Sequence, residues 1–268
     1  MIGMPRLSIV IVSYNARDDL ERCLRSLVQH APSVDHEIIV VDNASTDDSV
    51  AALRARWPGV RLIEAGGNVG YSRGNNIGIR ASFGELVLLL NGDTIVPEGA
   101  LDRLVAALDA RPDVAIAGPR LVDADGRVEL SFGSMISPFN EVRQKLRARG
   151  NLERLTSGER EVDWVSGACL LVRRADAEAV GLLDERFFMY TEDVDFCAAI
   201  RARGRRVLFT PSAQIVHLRG RSRQTAPRAT EAAYRRSHVA FYAKHHPHWV
   251  PFLRLYLWLR GRTADRRT

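Results

Sequence analysis

With 268 residues, 46% of them hydrophobic, the chain can bury a sizeable core as one large domain, which excludes a disordered or fibrous protein. Lys and Arg number 38 against 32 Asp and Glu, for a formal net charge of +6. This charge suits phosphate-bearing ligands, nucleic acid or an anionic membrane surface, and it does not choose among them.

The cellular location is predicted from the cysteines and from the first residues. The cysteines lie far apart without a CxxC pair, which indicates neither a disulfide framework nor a zinc site. Residues 1–6 run into a strand-like segment without the charged region, apolar stretch and cleavage site of a secretion signal. No sequence window approaches the roughly 18 consecutive apolar residues that span a bilayer. A reducing cytoplasm is therefore the expected location.

The N-terminal third of the chain alternates between strand and helix patterns. Leu7–Ser13 is a short, nearly all-apolar run typical of a strand buried on both faces of a parallel sheet. Leu20, Leu24 and Leu27 then recur at helical spacing in a charged background. The alternation continues with a strand at 37–41, a helix at 48–57, a strand at 60–64, a helix within 73–82 and a strand at 86–90. Such alternation predicts right-handed βαβ units in an α/β fold with a doubly wound sheet.

The regular alternation fades after residue 112. The sequence DADG at 123–126 is typical of a tight turn, and the polar, basic stretch 134–160 predicts a loop or a loose helix. Regular structure returns with a strand pattern at 162–172, a helix at 193–203 and short strands at 207–210 and 215–217. From about residue 228 the chain is helical in character.

Polar residues follow three of the predicted strands. They are Ser13, Tyr14 and Asn15 after the first strand, residues 42–47 after the second, and Asn91 and Asp93 after the strand at 86–90. Ligands of such sheets bind beyond the carboxyl ends of the strands, so these residues are expected to line the site. The first turn lacks GxGxxG, and no GxxxxGK[ST] loop is present, which argues against a dinucleotide oxidoreductase and a P-loop enzyme.

Two residues at strand ends are candidate metal ligands. Asp93 lies where a carboxylate can hold a divalent cation against a diphosphate, although ordinary strand-to-helix turns also use aspartate freely. His217 ends another apolar strand beside the basic run 219–223, and either a second ligand or a structural histidine fits that place.

Three acids, Glu192, Asp193 and Asp195, begin the helix predicted near residue 193, and aromatic residues flank them. Capping explains part of this pattern, because Thr191 can serve as the N-cap and acids in a first turn complement the helix dipole. Three acids beside four large apolar residues exceed that need, and a desolvated carboxylate has the raised pKa of a general base. The local sequence leaves catalysis and capping both open.

The combination of motifs is more specific than its parts. In order, the chain contains VSYN at 12–15, VDNASTD at 41–47, NVGY at 68–71, NGD at 91–93, WVSGAC at 164–169 and ED at 192–193. This set resembles the family 2 glycosyltransferases with the A-type fold, particularly the bacterial rhamnosyltransferase-like members. The resemblance implies an inverting enzyme that moves a sugar from a nucleotide diphosphate to an acceptor hydroxyl. Residues 1–225 would form the glycosyltransferase domain, with a mostly parallel sheet and helices on both faces, and residues 226–268 a C-terminal helical tail.

The resemblance also implies roles for residues of the nucleotide pocket. Ser13, Tyr14 and Asn15 would line that pocket. Asp42 would hydrogen-bond the base, and Arg73 would lie near the base or the diphosphate.

The resemblance further implies a metal and a base. Asp93 matches the last aspartate of the family's metal motif, His217 a metal-binding histidine, and Asp193 the catalytic base beside Glu192. Mg²⁺ or Mn²⁺ is the expected cofactor. The motif is often Asp-x-Asp, whereas Asn91 stands at its first position here, as it often does in rhamnosyltransferase-like members. The motifs together favour dTDP-rhamnose as the donor, in cell-envelope polysaccharide or glycolipid synthesis.

The tail and the net charge leave alternatives open. In residues 249–262, aromatic and aliphatic side chains lie among arginines, a composition that favours the interface of an anionic membrane. The protein would then be peripheral on the inner face of the plasma membrane, with a saccharide or polyprenyl-linked acceptor. A helix packed on the domain explains the same pattern. One rival function is an idle nucleotide-sugar-binding protein. Nucleic-acid binding is another, but it explains the charge and not the ordered motifs.

Overall fold

A computed structural model describes residues 4–137, residue 140, and residues 152–218 and 227–259. Much of the predicted loop at 134–160 lies outside the described residues, as do the basic run at 219–223 and the last part of the tail at 260–268.

The N-terminal third forms parallel strands joined by helices. Its elements are β1 (Leu7–Ser13), α1 (Arg17–Gln29), β2 (His36–Asp42), α2 (Ser49–Arg56), β3 (Arg61–Glu64), α3 (Gly70–Ala81) and β4 (Leu86–Asn91). The four strands are arranged in the order β3-β2-β1-β4, and each neighbouring pair is parallel. The predicted alternation is therefore confirmed in this region.

The remainder of the chain adds short strands and further helices. These elements are β5 (Thr94–Ile95), α4 (Ala100–Asp109), β6 (Val114–Val122), β7 (Val128–Glu129), β8 (Phe132–Gly133), α5 (Leu152–Leu155), β9 (Arg160–Val162), β10 (Trp164–Val165), β11 (Cys169–Arg173), α6 (Arg174–Ala179), α7 (Glu192–Ala202), β12 (Arg206–His217), α8 (Pro227–His245), a 3-10 turn (Pro247–Trp249) and α9 (Val250–Leu259).

The main sheet is mixed. Its order is β3-β2-β1-β4-β11-β6-β12-β5, with β7 paired to β6 and β9 paired to β12. Strand β11 runs antiparallel to both of its neighbours, β4 and β6, whereas β12 runs parallel to β6. The insertion of β11 brings the sequence WVSGAC, which immediately precedes and enters it, next to the carboxyl end of β4.

Strand β12 is one strand, whereas the sequence predicts two short ones at 207–210 and 215–217. Its pairing with β6 shifts register between Thr210 and Gln214. Pro211 lies in this irregularity and has no N–H to donate to the ladder, so the regular pattern breaks there without ending the strand. The Nε atom of Arg103 on α4 donates to the Ser212 carbonyl at 2.7 Å and helps to hold the bulge.

The core lies on both faces of the sheet. Ile9 and Ile11 of β1 pack in one cluster with α1 and α4, while Val10 packs in another with α3 and α7. Successive side chains of a strand point to opposite faces, so a nearly all-apolar strand serves both clusters. Helices α3 and α7 consequently share one face, and their N-terminal ends approach each other.

Helix α3 lies unusually close to β1 because of its glycines. A Cβ atom on Gly78 would lie 2.3 Å from Cγ1 of Val10. The absence of a side chain on Gly78 therefore allows α3 to pack closely on β1.

Candidate active site

The loops after β1 and β2 form one connected edge. The backbone N–H of Asn15 donates to Oγ of Ser45 at 2.9 Å, and Oδ1 of Asn15 accepts from the N–H of Thr46 at 2.7 Å. Asp42 is buried and accepts from the Ser45 N–H at 2.9 Å. Asn15 has a φ of 49°, a left-handed conformation that asparagine tolerates better than most residues. These bonds bring together Asn15 and Asp42 with Ser13, whose carbonyl accepts from the N–H of Asn43. All three were predicted from sequence to line the nucleotide pocket.

Several buried polar atoms near this edge have no hydrogen-bond partner among the described residues. They include Oγ of Ser13, Oδ1 of Asp42, Oδ1 of Asn43, Oγ of Ser72 and Oδ1 of Asn75. Buried polar groups are normally satisfied in folded proteins, and groups that are not satisfied gather where water or a ligand completes the structure. The cluster distinguishes this edge from the rest of the sheet.

Tyr14 and Arg73 differ from the other predicted pocket residues because they are exposed. Tyr14 is 49% exposed, immediately after β1. The Arg73 side chain is 61% exposed, and its Nε lies 3.9 Å from Oε2 of Glu185. Within the described residues, Arg73 makes no hydrogen bond or ion pair with Ser13 or Asp42, so the structure brings the buried residues together and leaves Arg73 apart from them beside Glu185.

Asp93 and His217 are in contact. His217 Nε2 lies 3.3 Å from Oδ1 of Asp93, and its Nδ1 lies 3.3 Å from Oε2 of Glu129. The amide of Asn91 lies 3.5 Å from His217 Nε2. Strand pairing produces this meeting, because His217 at the end of β12 is in register with Thr94 of β5.

The His217 imidazole is a strong base in this surrounding. Burial lowers its pKa, but hydrogen bonds to Asp93 and Glu129 and the charges of the two carboxylates raise it, and the net result is a pKa of about 9. Sequence reasoning missed Glu129, which lies in the two-residue strand β7. Only the pairing of β7 with β6 and of β6 with β12 brings Glu129 beside His217, and no local pattern indicates this.

The donor set at this position fits a metal ion shared with a substrate and not a cage of protein ligands. Among the residues that the structure describes, no group of three or more His, Cys, Asp and Glu side chains is arranged to hold a metal ion. Asp93 and His217 offer one carboxylate and one imidazole. Mg²⁺ is commonly bound by one or two carboxylates and completed by substrate phosphates, which is compatible with this pair once the imidazole has lost its proton.

Asp193 lies at the junction of three segments. Its Oδ2 accepts from the Gly167 N–H at 2.9 Å, and its Oδ1 accepts from the Val194 N–H at 2.8 Å. The hydroxyl of Tyr71, on α3, donates to the Gly167 carbonyl at 2.6 Å. Burial raises the pKa of Asp193 although its backbone hydrogen bonds oppose the rise. A partly buried carboxylate with a raised pKa is suited to accept a proton.

Glu192 is the more deeply buried of the two neighbouring acids. The residue is only 6% exposed, and its Oε2 has no hydrogen-bond partner within the described part of the chain. Burial raises its pKa well above the usual range, and the charge of Asp193 adds to the rise. Glu192 is therefore kept protonated and neutral at pH values where an ordinary glutamate is ionised.

Thr191 occupies the N-cap position of α7, as predicted, but the capping bond expected from its side chain is not formed. Thr191 makes no side-chain capping bond, and its Oγ1 is among the buried atoms without a partner in the described residues. The reason is its backbone, since a capping threonine has an extended conformation and Thr191 has a φ of 66°. Tyr190, with a φ of 73°, is also left-handed. Two successive non-glycine residues in this region are strained, and such strain is typical of functional segments.

Gly70, which opens α3, allows the segment before Asp193 to come close. The N–H of Tyr71 donates to the Phe188 carbonyl at 2.7 Å. A Cβ on Gly70 would lie 2.4 Å from that carbonyl oxygen, and Gly70 has a φ of 84°, so a side chain is excluded twice over. The NVGY motif therefore has a structural function beside the candidate base.

The sequence profile described as Glycosyl transferase family 2 matches residues 8–181. The chain belongs to this family. The resemblance predicted from the motifs is thus confirmed, and the protein is a glycosyltransferase. The match ends before Asp193 and His217, so the roles of these two residues rest on their geometry and on the motif resemblance.

Relatives of this glycosyltransferase extend along nearly the whole chain. It is 34% identical over 266 residues to the N-acetylglucosaminyl-diphospho-decaprenol L-rhamnosyltransferase of Mycobacterium tuberculosis, covering 91% of this chain and 86% of the relative. It is 25% identical over 225 residues to a rhamnosyltransferase of Escherichia coli strain K12, covering 78% of this chain and 82% of that protein.

The A-type fold is confirmed by solved structures. A mannosyltransferase from Pyrobaculum calidifontis, in complex with GDP-Man and Mn²⁺, superposes with a TM-score of 0.63 at 20% identity. The superposition covers 94% of this chain and 69% of that one. At this identity the likeness concerns the fold of the glycosyltransferase.

The tail of the glycosyltransferase combines a packed part and an exposed part. Phe241 and Tyr242 of α8 are buried against Phe187 and Val194, as expected for a helix packed on the domain. Helix α9 instead exposes a row of large apolar side chains: Phe252, Leu255, Tyr256, Trp258 and Leu259. No helix in the described ranges has the length and apolar character that crossing a bilayer requires.

Proposed function

We propose that this glycosyltransferase transfers rhamnose from dTDP-rhamnose, with inversion, to a hydroxyl of a polyprenyl-diphosphate-linked saccharide in cell-envelope synthesis. The observation that carries the proposal is the similarity over 91% of the chain to a rhamnosyltransferase whose name states such an acceptor. The strand-end site and Asp193 supply the chemistry that this transfer needs.

The donor nucleotide would occupy the edge formed by the loops after β1 and β2. Ser13, Asn15 and Asp42 would meet the base and ribose, and the Oδ1 atom of Asp42, without a partner among the described residues, is a free acceptor for a base N–H. Tyr14, exposed beside them, can stack on the base. Arg73 would approach the donor only if its side chain leaves Glu185.

The diphosphate would lie over Asn91, Asp93 and His217. Mg²⁺ or Mn²⁺, bound there, would neutralise the charge that develops on the leaving diphosphate. Asp93 would hold the ion through its carboxylate, and His217 through Nε2 after losing its proton. Glu129 would keep the imidazole oriented by accepting from the other ring nitrogen, which lies 3.3 Å away.

Asp193 would act as the base. The acceptor hydroxyl gives its proton to Asp193 while its oxygen forms a bond to the anomeric carbon, and the bond from that carbon to the diphosphate breaks with the electron pair leaving on the phosphate oxygen. Each carboxylate oxygen of Asp193 accepts one backbone hydrogen bond, so each retains a lone pair for the proton. Neutral Glu192 beside it avoids a second negative charge at the reacting centre.

The exposed row on α9 would contact the membrane that contains the acceptor. Aromatic side chains favour the headgroup region, and arginines in residues 254–267 would interact with anionic lipid. The protein would therefore work as a cytoplasmic enzyme peripheral on the inner face of the plasma membrane.

A panel of nucleotide sugars tests the donor. The purified protein is incubated with dTDP-rhamnose, UDP-glucose, UDP-N-acetylglucosamine and GDP-mannose, with Mg²⁺ and a short-chain polyprenyl-diphosphate N-acetylglucosamine, and nucleotide release is followed. Turnover with dTDP-rhamnose alone is the expected result. Preference for a UDP or GDP sugar would refute the donor assignment. Thermal stabilisation by a nucleotide diphosphate without turnover of any donor would favour the idle binding protein.

A further inference from the structure

Helix α8 packs against the segment that carries the candidate base and forms hydrogen bonds with it. These bonds centre on Asp195, a residue only 2% exposed. Its Oδ2 accepts from Nζ of Lys244 at 2.8 Å, and its Oδ1 accepts from Nε2 of His245 at 2.6 Å. Both partners are at the C-terminal end of α8, about 50 residues along the chain.

We propose that α8 positions the catalytic base, with Asp195 as the positioning residue through which it acts. This inference rests on the proposed role of Asp193 as the base. It gives a function to the third acid of the EDVD sequence, which neither capping nor proton transfer explains.

The first turn of α7 connects the contacts of Asp195 to the position of Asp193. Asp193 and Asp195 are two residues apart, so they project about 200° from each other around the helix axis. Asp193 faces Gly167 on one side, while Asp195 faces Lys244 and His245 on the other. The turn is therefore held from two opposite sides, and a shift of α7 toward or away from α8 moves the Asp193 carboxylate relative to the Gly167 loop.

Other contacts of α8 fix the segment immediately before α7, which contains the strained residues Tyr190 and Thr191. Oγ of Ser237 donates to the Met189 carbonyl at 2.7 Å, directly before the two left-handed residues Tyr190 and Thr191. The same helix buries Phe241 against Phe187. Residues in unfavourable backbone regions persist only when their surroundings determine them, and α8 supplies those surroundings.

The residue after α8 also contacts the segment that follows β8. Nε2 of His246, immediately after α8, donates to the Ile136 carbonyl at 2.9 Å. Ile136 and Trp164 both pack against the cluster that contains Phe241. The C-terminal segment thus contacts both the base-bearing segment and the segment that follows β8. This is the arrangement expected of a positioning element.

Three substitutions and one matched control test the proposal. Asp195→Asn removes the carboxylate that accepts from both partners, Lys244→Met removes the ammonium group, and Lys244→Arg restores a cation. The control, Asp184→Asn, removes the other ion pair of Lys244, in which Nζ lies 2.8 Å from Oδ2 of Asp184, and leaves both contacts to Asp195. The donor is the nucleotide sugar selected by the panel, and kcat, donor KM and Tm are measured for each full-length variant.

A positioning role predicts a loss in kcat alone. Asp195→Asn and Lys244→Met should lower kcat about tenfold or more, because displacement of a reacting group by a fraction of an ångström has effects of this size, while donor KM changes less than about twofold. Lys244→Arg should recover most of kcat. Asp184→Asn should lower Tm with kcat within about twofold of the parent.

Three results would overturn the proposal. The first is an unchanged kcat in Asp195→Asn, and the second is a change confined to donor KM. The third is a loss of kcat in Asp184→Asn that, relative to its loss of Tm, equals the loss in Asp195→Asn. If Asp195→Asn does not fold, Lys244→Met and His245→Asn carry the test, because each leaves Asp195 one of its two hydrogen-bond partners. Failure of the proposed function is distinguishable, because Asp193→Asn would then retain turnover whatever the variants of α8 do.

Discussion

The nucleotide edge and the base-bearing segment are built in different ways. At the nucleotide edge, Asn15 and Ser45 follow neighbouring parallel strands, and each loop comes directly after a strand that the local sequence identifies. At the other side of the site, Asn91 meets His217 from 126 residues away, and Asp195 meets a helix of the C-terminal tail. Residues of the first region are expected to affect donor binding, whereas the second region depends on long-range contacts of the proposed metal ligands, the proposed base and the tail.

The largest expected effect belongs to the second region. Asp193→Asn should lower turnover about a hundredfold or more, since the amide keeps the shape of the carboxylate and cannot accept the proton. Binding of the donor, measured by calorimetry, should stay within about twofold of the parent. Asn15→Ala, at the nucleotide edge, should show the opposite pattern, with weaker donor binding and a smaller loss of kcat. Near-normal turnover in Asp193→Asn would remove it from the base role.

The metal position should show the next largest effect. Asp93→Ala and His217→Ala should each weaken donor binding in the presence of Mn²⁺ about 10- to 100-fold, because both are proposed to hold the ion against the diphosphate. Glu129→Gln should weaken it less, because Glu129 touches only the far side of the imidazole. Wild-type activity that survives exhaustive treatment with EDTA would contradict the metal role of both residues.

The tail should show a more modest effect, on membrane binding. Phe252→Ser with Trp258→Ser should lower the fraction of protein that floats with anionic phosphatidylglycerol vesicles at low salt by about tenfold. Both side chains are 64% exposed, so the fold should be preserved. Deleting residues 249–268 is a less clean test because it also removes Val250 and Leu253, which pack on the core. Phe83→Ser, an exposed aromatic elsewhere, is the matched control, and an equal loss there would contradict a specific membrane face.

The smallest expected effect concerns stability and pH. The pKa of Glu192 is raised on folding, so its contribution to stability is fully present below the ordinary value of 4.5 and is lost as the pH rises toward the raised value. Glu192→Gln does not titrate at this position. The difference in Tm between Glu192→Gln and the parent should therefore grow in favour of the variant as the pH rises from 5 to 8, measured by differential scanning fluorimetry. A difference that does not depend on pH would mean that Glu192 titrates as an ordinary acid.

The difference between local and long-range contacts also determines what could be predicted from the sequence. The βαβ alternation, the strand-end residues and the family resemblance follow from local patterns, and the fold and the family are confirmed. Glu129 and the Asp195 contacts could not be predicted, because strand register and helix docking create them and neither leaves a short-range signal. Thr191 occupies the predicted N-cap position, but its side-chain capping bond is absent because its backbone is left-handed, a conformation that no local pattern indicates. The domain boundary at 225 and the site roles stay predictions.

The bulge at Pro211 determines which face of the sheet each later side chain of β12 lies on. Leu208 and Ile215 pack in the same cluster although seven residues separate them, an odd spacing that an uninterrupted strand would send to opposite faces. The irregular pairing around residues 211–213 reverses the alternation, and His217, two residues after Ile215, lies on the same side as Leu208 only because of that reversal. An insertion or deletion of a single residue there would restore the ordinary alternation and turn the imidazole away from Asp93. Sequence length in this short stretch is thus as important to the site as the identity of His217 itself.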